Sequence, residues 1–163
     1  MTSEFDGIVR LSEAMRNVPE IVDKAADEIG TYLVETVRNR VRLGYGVKAH
    51  GEKKDKFKEL AESTIEHRKL LSLRGELFPG SKPKRSHLTA TGEMMGDLAY
   101  QKEPGRVVLF FDGNDANYKA WYNNEAGRVT RPFFFLTDLE MKAVNRTLQK
   151  SLDEYIEGLA GTL

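Results

Sequence analysis

The sequence has no cysteine among its 163 residues. That excludes disulfides, thiolate zinc sites and thiol nucleophiles, and it suits a cytosolic protein and a virion protein equally. Neither sign of charge is in excess: 25 lysines and arginines face 25 aspartates and glutamates. A formally neutral chain has no global attraction for nucleic acid or an anionic membrane, so any such binding must come from a local patch. No apolar run approaches the roughly 20 residues of a membrane span, and no membrane partner is expected. "MTSEFDGIVR" carries acids and no apolar core, which is unlike a signal peptide. Repeats at solenoid periods are missing. One domain over 1–163 is the simplest expectation, long enough to bury a core without staples.

Catalytic motifs are missing too. There is no G-x-S-x-G, H-E-x-x-H or P-loop. His50, His67 and His87 show no metal-ligand spacing and read as exposed or hydrogen-bonded side chains. "DGNDAN" invites comparison with a calcium loop, but Gly113 stands in second place after Asp112 and the distal bidentate glutamate is not there. Capping residues of a turn account for it. "RGELFPGSKPKR" has neither a preceding strand nor the Gly-Lys-Ser/Thr order of a phosphate cradle. No catalytic residue, metal ligand or cofactor-binding residue is assigned. The enzymatic alternative is metal-dependent hydrolysis around Asp112, Asp115 and Glu125, which would require loss of an activity on substituting Asp112 or Asp115.

What is present is a strong helical and hairpin pattern. A short helix is expected around Ile8, Leu11 and Met15, followed by a longer one. Asn17 offers a cap, Pro19 suits a first turn, and Glu20 lies three residues after Asn17, as in a capping box. Val22, Ala25, Ile29, Leu33, Thr36, Val37 and Val41 then form one apolar stripe. Arg38, Arg40 and Arg42 crowd the end favoured by the helix dipole, and Gly44 stops the helix. Such a helix is about 40 Å long, which points to an elongated shape or a packing role in an assembly.

Residues 44–86 differ in character. They hold eleven basic residues against six acidic ones, and Gly- and Pro-rich stretches flank a helix over 57–73. Phe57, Leu60, Ala61, Thr64, Arg68 and Leu71 lie along one side of that helix. A long stretch of this composition is expected to be mobile until a partner orders it. Beyond it, 98–102 and 106–111 read as a hairpin around Glu103-Pro104-Gly105. "NDANYKAWYNNEAG" is a short helix ended by Gly127. Thr137-Asp138-Leu139-Glu140 is a capping box, with Leu136 and Met141 as its staple. The helix it opens carries Leu139, Ala143, Leu148, Leu152, Tyr155, Ile156 and Leu159 on one stripe. The fold class is α+β: long amphipathic N- and C-terminal helices packed on a small antiparallel sheet, with a long basic flexible insertion.

"RPFFFLTD" stands out. On a strand, Phe133 and Phe135 share one face and Phe134 takes the other, so both faces need cover. Tyr118, Trp121, Tyr122, Phe133, Phe134 and Phe135 are mostly expected in the core. The aromatics left over, with Arg131, are residue types enriched at interface hot spots, and they mark an oligomer. Lys53, Lys54, Lys82, Lys84 and Arg85 form candidate charged loops. Solvation of a flexible stretch is their plain reading, and a charged contact with nucleic acid or an acidic protein surface is the functional one. Aromatics are not interleaved there to stack bases.

The order of signals resembles the tail-completion, or virion-morphogenesis, proteins of tailed bacteriophages. The residues that carry the resemblance are Leu60, Thr64 and Arg68; Leu88, Thr91 and Gly92 before the hairpin; Tyr118, Glu125 and Gly127; and Arg131, Pro132 and Phe133 before the last helix. The match covers most of the chain and is best from Leu60 onward. It implies a non-enzymatic structural protein, without cofactors, forming a ring (a hexamer) at the head-proximal end of the tail or in the neck. Its partners would be itself, a tail terminator or tail-tube protein and head-connector proteins, with DNA passing through the channel. It would be assembled in the host cytoplasm and reside in the virion. The alternative is a nucleic-acid-binding accessory protein acting through 44–86. Salt separates the two, because binding through several phosphates weakens steeply with salt whereas aromatic burial does not.

Overall fold

The structure, a computed structural model, describes residues 3–160 except 86, 87, 89, 104, 105 and 128, with backbone alone described for 3–19, 22, 159 and 160. It is α+β, with helices gathered around two small antiparallel sheets. Helix α1 spans Ser3–Arg42 and runs through Asn17 and Pro19 without a break. The expected short first helix and the Asn17 cap are therefore corrected. A proline inside a helix loses one backbone hydrogen bond, and here the turns on either side continue regardless. At 1.5 Å per residue α1 is about 60 Å long.

The described part of the α1 stripe is buried as expected at Ala25, Ile29, Leu33, Val37 and Val41. It serves two clusters. Val34, Val37 and Val41 pack with Phe57, Met94, Met95, Leu98, Phe111, Ala116, Ala120 and Phe133. Ala25, Ile29 and Leu33 pack with Val107, Leu136, Val144 and Leu148. One helix thus spans both halves of the core.

Strands β1 (Tyr45–Gly46) and β2 (Asp55–Lys56) make a two-residue ladder. Helix α2 covers Glu62–Leu73. The helix expected from 57 therefore starts later: Phe57 precedes it and is buried in the main core, and Arg68 is the one buried side chain on α2. After the short helix α3 (Glu93–Gly96), strands β3 (Leu98–Glu103) and β4 (Arg106–Phe111) pair from Leu98↔Phe111 to Glu103↔Arg106. That is the expected hairpin, and of its turn Pro104 and Gly105 lie outside the described residues. Helix α4 (Asn114–Trp121) passes directly into a π-turn at Tyr122–Ala126. Helix α5 (Asp138–Ala160) lies against α1.

Two local expectations for α5 separate. The capping box is formed, with the Thr137 backbone N–H donating to Glu140 Oε2 at 2.7 Å and the Glu140 N–H donating to Thr137 Oγ1 at 3.2 Å. The stripe holds in part: Ala143, Leu148, Leu152 and Tyr155 are half-buried, and its two ends depart from it. Leu139 and Ile156 are exposed, while Val144 and Leu148 pack onto Ala25, Ile29 and Leu33. Helix α5 therefore meets α1 on the face of Glu140, Val144 and Leu148, because the Arg40–Glu140 ion pair fixes its rotation at the first turn.

Candidate functional site

Periodicity builds an aromatic shelf on α4. Ala116 and Ala120, one turn apart, face the core, and their small side chains let the helix sit close to the hairpin. Tyr118, Trp121 and Tyr122, also spaced three and four apart, then point the other way. They are 61%, 51% and 45% exposed. Tyr118 stacks on Tyr122 with ring centres 6.3 Å apart and tilts against Trp121 at 5.9 Å. The expectation that most of the six aromatics are core is corrected for these three. The core-facing side of α4 is taken by alanines, so the large rings have no interior place.

The π-turn holds the shelf. The Gly127 N–H donates to the Tyr122 carbonyl at 2.6 Å, and a Cβ at Gly127 would meet that oxygen at 2.7 Å. The widened turn presents the Asn123 carbonyl to the Arg131 N–H at 2.6 Å and Asn124 Oδ1 to the Phe133 N–H at 2.9 Å. Such turns inside helices are frequent at functional sites. Beside the shelf, Lys119 pairs with Asp115 at 2.5 Å, and the hydrogen bond it donates to the Asp115 carboxylate raises the lysine pKa above its ordinary value.

The Phe run is not a strand. Phe133 is fully buried and lies 5.0 Å from Phe134, and both rings meet Phe111 edge-on. Phe135 turns away to His50, edge-on at 5.1 Å. The expected alternation, with Phe133 and Phe135 on one face, is therefore corrected. The segment bends because its carbonyls are claimed from two sides. Arg40 Nη2 donates to the carbonyls of Phe133 at 2.5 Å and Phe135 at 2.8 Å, while Arg40 Nη1 grips both oxygens of Glu140 at 2.6 and 2.5 Å. From the other side, the Val47 and Gly51 N–H groups donate to the carbonyls of Pro132 and Leu136, each at 2.9 Å.

Gly46 allows this second clamp. A Cβ there would lie 2.0 Å from the Pro132 carbonyl oxygen and 2.6 Å from the Phe57 ring. The nearer obstacle is backbone and cannot rotate aside. Gly46→Ala is expected to lower stability by about 1–3 kcal/mol, measured by urea unfolding.

The sequence assigned Arg38 and Arg40 to the helix dipole, and the structure uses both as cross-links. Arg38 donates from Nε to the Met95 carbonyl at 2.9 Å and from Nη2 to those of Gly96 and Leu98 at 2.8 and 2.7 Å. Arg40 was legible in one respect: it falls three residues after Val37, inside the apolar stripe.

Of the charged-loop candidates, Lys82, Lys84 and Arg85 come together. With Tyr45, Lys56 and Glu59 they line a cleft of about 370 Å³ below α1. Lys54 joins them by lying over the Tyr45 ring, 5.4 Å from its centre. Lys53 is exposed and does not line this cleft. Arg68 donates from Nη1 to the Arg85 carbonyl at 3.0 Å, tying α2 to the loop. Arg131 is half-buried rather than displayed with the aromatics. Burial lowers its pKa, and burial together with the neighbouring Arg131 charge lowers that of Arg68.

The carboxylates considered for a metal do not converge. Asp112, Asp115 and Glu125 are exposed, and Asp115 is committed to Lys119. Among the described residues no group of three or more His, Asp or Glu side chains could hold a metal ion. Nor is any described helix long and apolar enough to cross a membrane. Neither a protein-family model, a curated protein nor a solved structure matches the chain.

Proposed function

We propose that the chain is a ring-forming structural protein of a tailed-bacteriophage virion. It acts at the head-proximal end of the tail, where it completes the tail and allows joining to the head. Its role is assembly rather than catalysis. Its partners are further copies of itself, the tail terminator or tube protein, and the head connector. In this reading the exposed basic side chains of 44–86, a segment held to the fold through Val47, Phe57 and Arg68 rather than mobile, meet a neighbour, and DNA passes through the ring.

The observation that carries the proposal is the shelf of Tyr118, Trp121 and Tyr122. Three large aromatic side chains lie side by side on the surface, anchored to Phe133 through the π-turn and Asn124. Contiguous exposed apolar area on a small protein marks an interaction site, and Tyr and Trp are the residue types that dominate binding hot spots. The resemblance carried by the ordered motifs from Leu60 to Phe133 supports a tail or neck assembly as the one the shelf serves.

The test is addition to tails. Purified protein is mixed with tail tubes from the same source, and its mass is followed by light scattering. Wild type is expected to add at tube ends. A Tyr118→Ser/Trp121→Ser double variant should keep its circular dichroism and lose most of that addition, about a thousandfold in affinity, since hot-spot truncations cost about 2 kcal/mol each. A variant that adds as wild type does, or a wild type that ignores tubes and binds DNA instead, would overturn the reading.

A further inference from the structure

The chain is neutral as a whole, but its charge is sorted by position. Helices α1 and α5 run antiparallel. Arg40 meets Glu140 at one end, and Glu20 and Lys24 lie beside Ser151 and Tyr155 at the other. At that far end, residues 20–28 and 150–157 hold seven acids against two lysines. Lys102 neutralises one of the acids, Asp27, at 2.9 Å. At the near end the cleft is rimmed by Lys54, Lys56, Lys82, Lys84 and Arg85, with Glu59 as the one acid among its described lining residues. From Glu20 to the cleft floor at Gly44, α1 and its stop span about 36 Å, several times the roughly 8 Å Debye length at physiological salt. The two ends therefore do not neutralise each other within one chain.

We propose that the basic cleft is a socket for the acidic end of a second copy of this chain, so that the ring closes by head-to-tail contacts. This rests on the ring reading above and names its subunit contact. Charge is half of the argument, and apolar surface is the other half. Leu43 is exposed and lines the cleft beside the buried Phe57. At the opposite end Ile156 is exposed on α5, with Asp153 one turn before it and Glu157 next to it. Each end thus offers an apolar centre with a charged rim, of opposite sign, which is the anatomy of a protein interface. The contact is heterologous, and such contacts make rings when the rotation between copies closes.

A nucleic-acid occupant fits less well. The Tyr45 face is already covered by Lys54, so it is not open to a base, and the acidic end opposes the approach of a polyanion. Chain-to-chain docking uses both ends at once. The aromatic shelf is left for the neighbouring tail or neck component.

Because this contact is itself charged, salt alone does not separate it from DNA binding, and complementation does. Two variants are made, Lys84→Glu/Arg85→Glu and Asp153→Lys/Glu157→Lys. Self-association is measured by sedimentation velocity up to millimolar concentration, with circular dichroism as the check on folding. Each variant alone is expected to self-associate at least about tenfold more weakly than wild type, since like charges then face each other. Their equimolar mixture should recover association, because the altered socket of one matches the altered end of the other. An oligomer unaffected by either variant would leave the ring reading standing and overturn the socket. A wild type that stays monomeric at every concentration and salt would overturn the socket also, with the ring reading decided separately by tube addition. Two weakened variants that fail to complement, together with salt-sensitive binding of a DNA duplex that only Lys84→Glu/Arg85→Glu abolishes, would assign the cleft to nucleic acid.

Discussion

Arg40→Ala is expected to lower the unfolding free energy by roughly 3–5 kcal/mol, the range for removing one partner of a buried ion pair. The side chain is 4% exposed and that of Glu140 12%, so water cannot replace what is lost. Four hydrogen bonds disappear together: two to Glu140 and one each to the Phe133 and Phe135 carbonyls. Glu140 is left as an uncompensated carboxylate close to the core, and the bend of the Phe run loses its inner clamp. For a chain of this size each kcal/mol is about 2–4 °C in Tm, so a fall of roughly 6–20 °C is expected on thermal melting. Arg40→Lys separates geometry from charge. Lysine keeps the positive charge but has no planar fork to reach Glu140 and two carbonyls at once, so it should recover only part of the loss. Full recovery by lysine, or a loss below about 1 kcal/mol for alanine, would show that the fork does not hold the three segments together. Arg40 Nε is buried without a hydrogen-bond partner, a cost already present in the wild type that partly offsets the benefit of the other four bonds.

This arginine also shows where the sequence stopped being informative. The hairpin was legible to the residue at Arg106–Phe111, and the capping box at Thr137–Glu140 formed as its spacing required. Both are local, built from neighbours within a few positions. The Arg40 cross-links reach 93, 95 and 100 residues along the chain, and no short window contains both partners. A charged residue inside an apolar stripe was the visible trace, and the dipole account explained it too easily. Which aromatics form the shelf was hidden for a related reason: all six were candidates for core or interface, and only Ala116 and Ala120 told which side of α4 faced inward. The cleft residues come together through distant pairings: Tyr45 and Lys56 face each other across the β1–β2 ladder, and Arg68 on α2 holds the Arg85 carbonyl. The capping box places α5 in sequence, but its rotation is set by a partner on α1, which is why Leu139 and Ile156 fall off the expected stripe while Leu148 stays on it.

Phe133→Ala is expected to cost about 3–5 kcal/mol, the range for truncating a buried phenylalanine. Its ring is fully buried against Phe111 and Phe134, and among the described residues it is the largest side chain with almost no exposure. The neighbours sharpen the test. Phe134 is half-buried against the same Phe111, whereas Phe135 leaves the cluster for the exposed His50. Truncations should therefore rank Phe133 first, Phe134 second and Phe135 last. A strand would instead make Phe133 and Phe135 alike and set Phe134 apart, so chemical denaturation of the three variants decides between the two geometries. The damage should also travel to the shelf. The Phe133 N–H is the donor to Asn124 Oδ1 in the π-turn, one turn from Trp121, and a collapsing cavity pulls on that bond. Trp121 is the chain's single tryptophan, so its fluorescence reports the shelf directly. A shift in emission for Phe133→Ala under native conditions, with none for Phe135→Ala, would mean that the core residue sets the position of the docking aromatics. Unchanged emission in both would mean that α4 and its alanines hold the shelf without help from the Phe run.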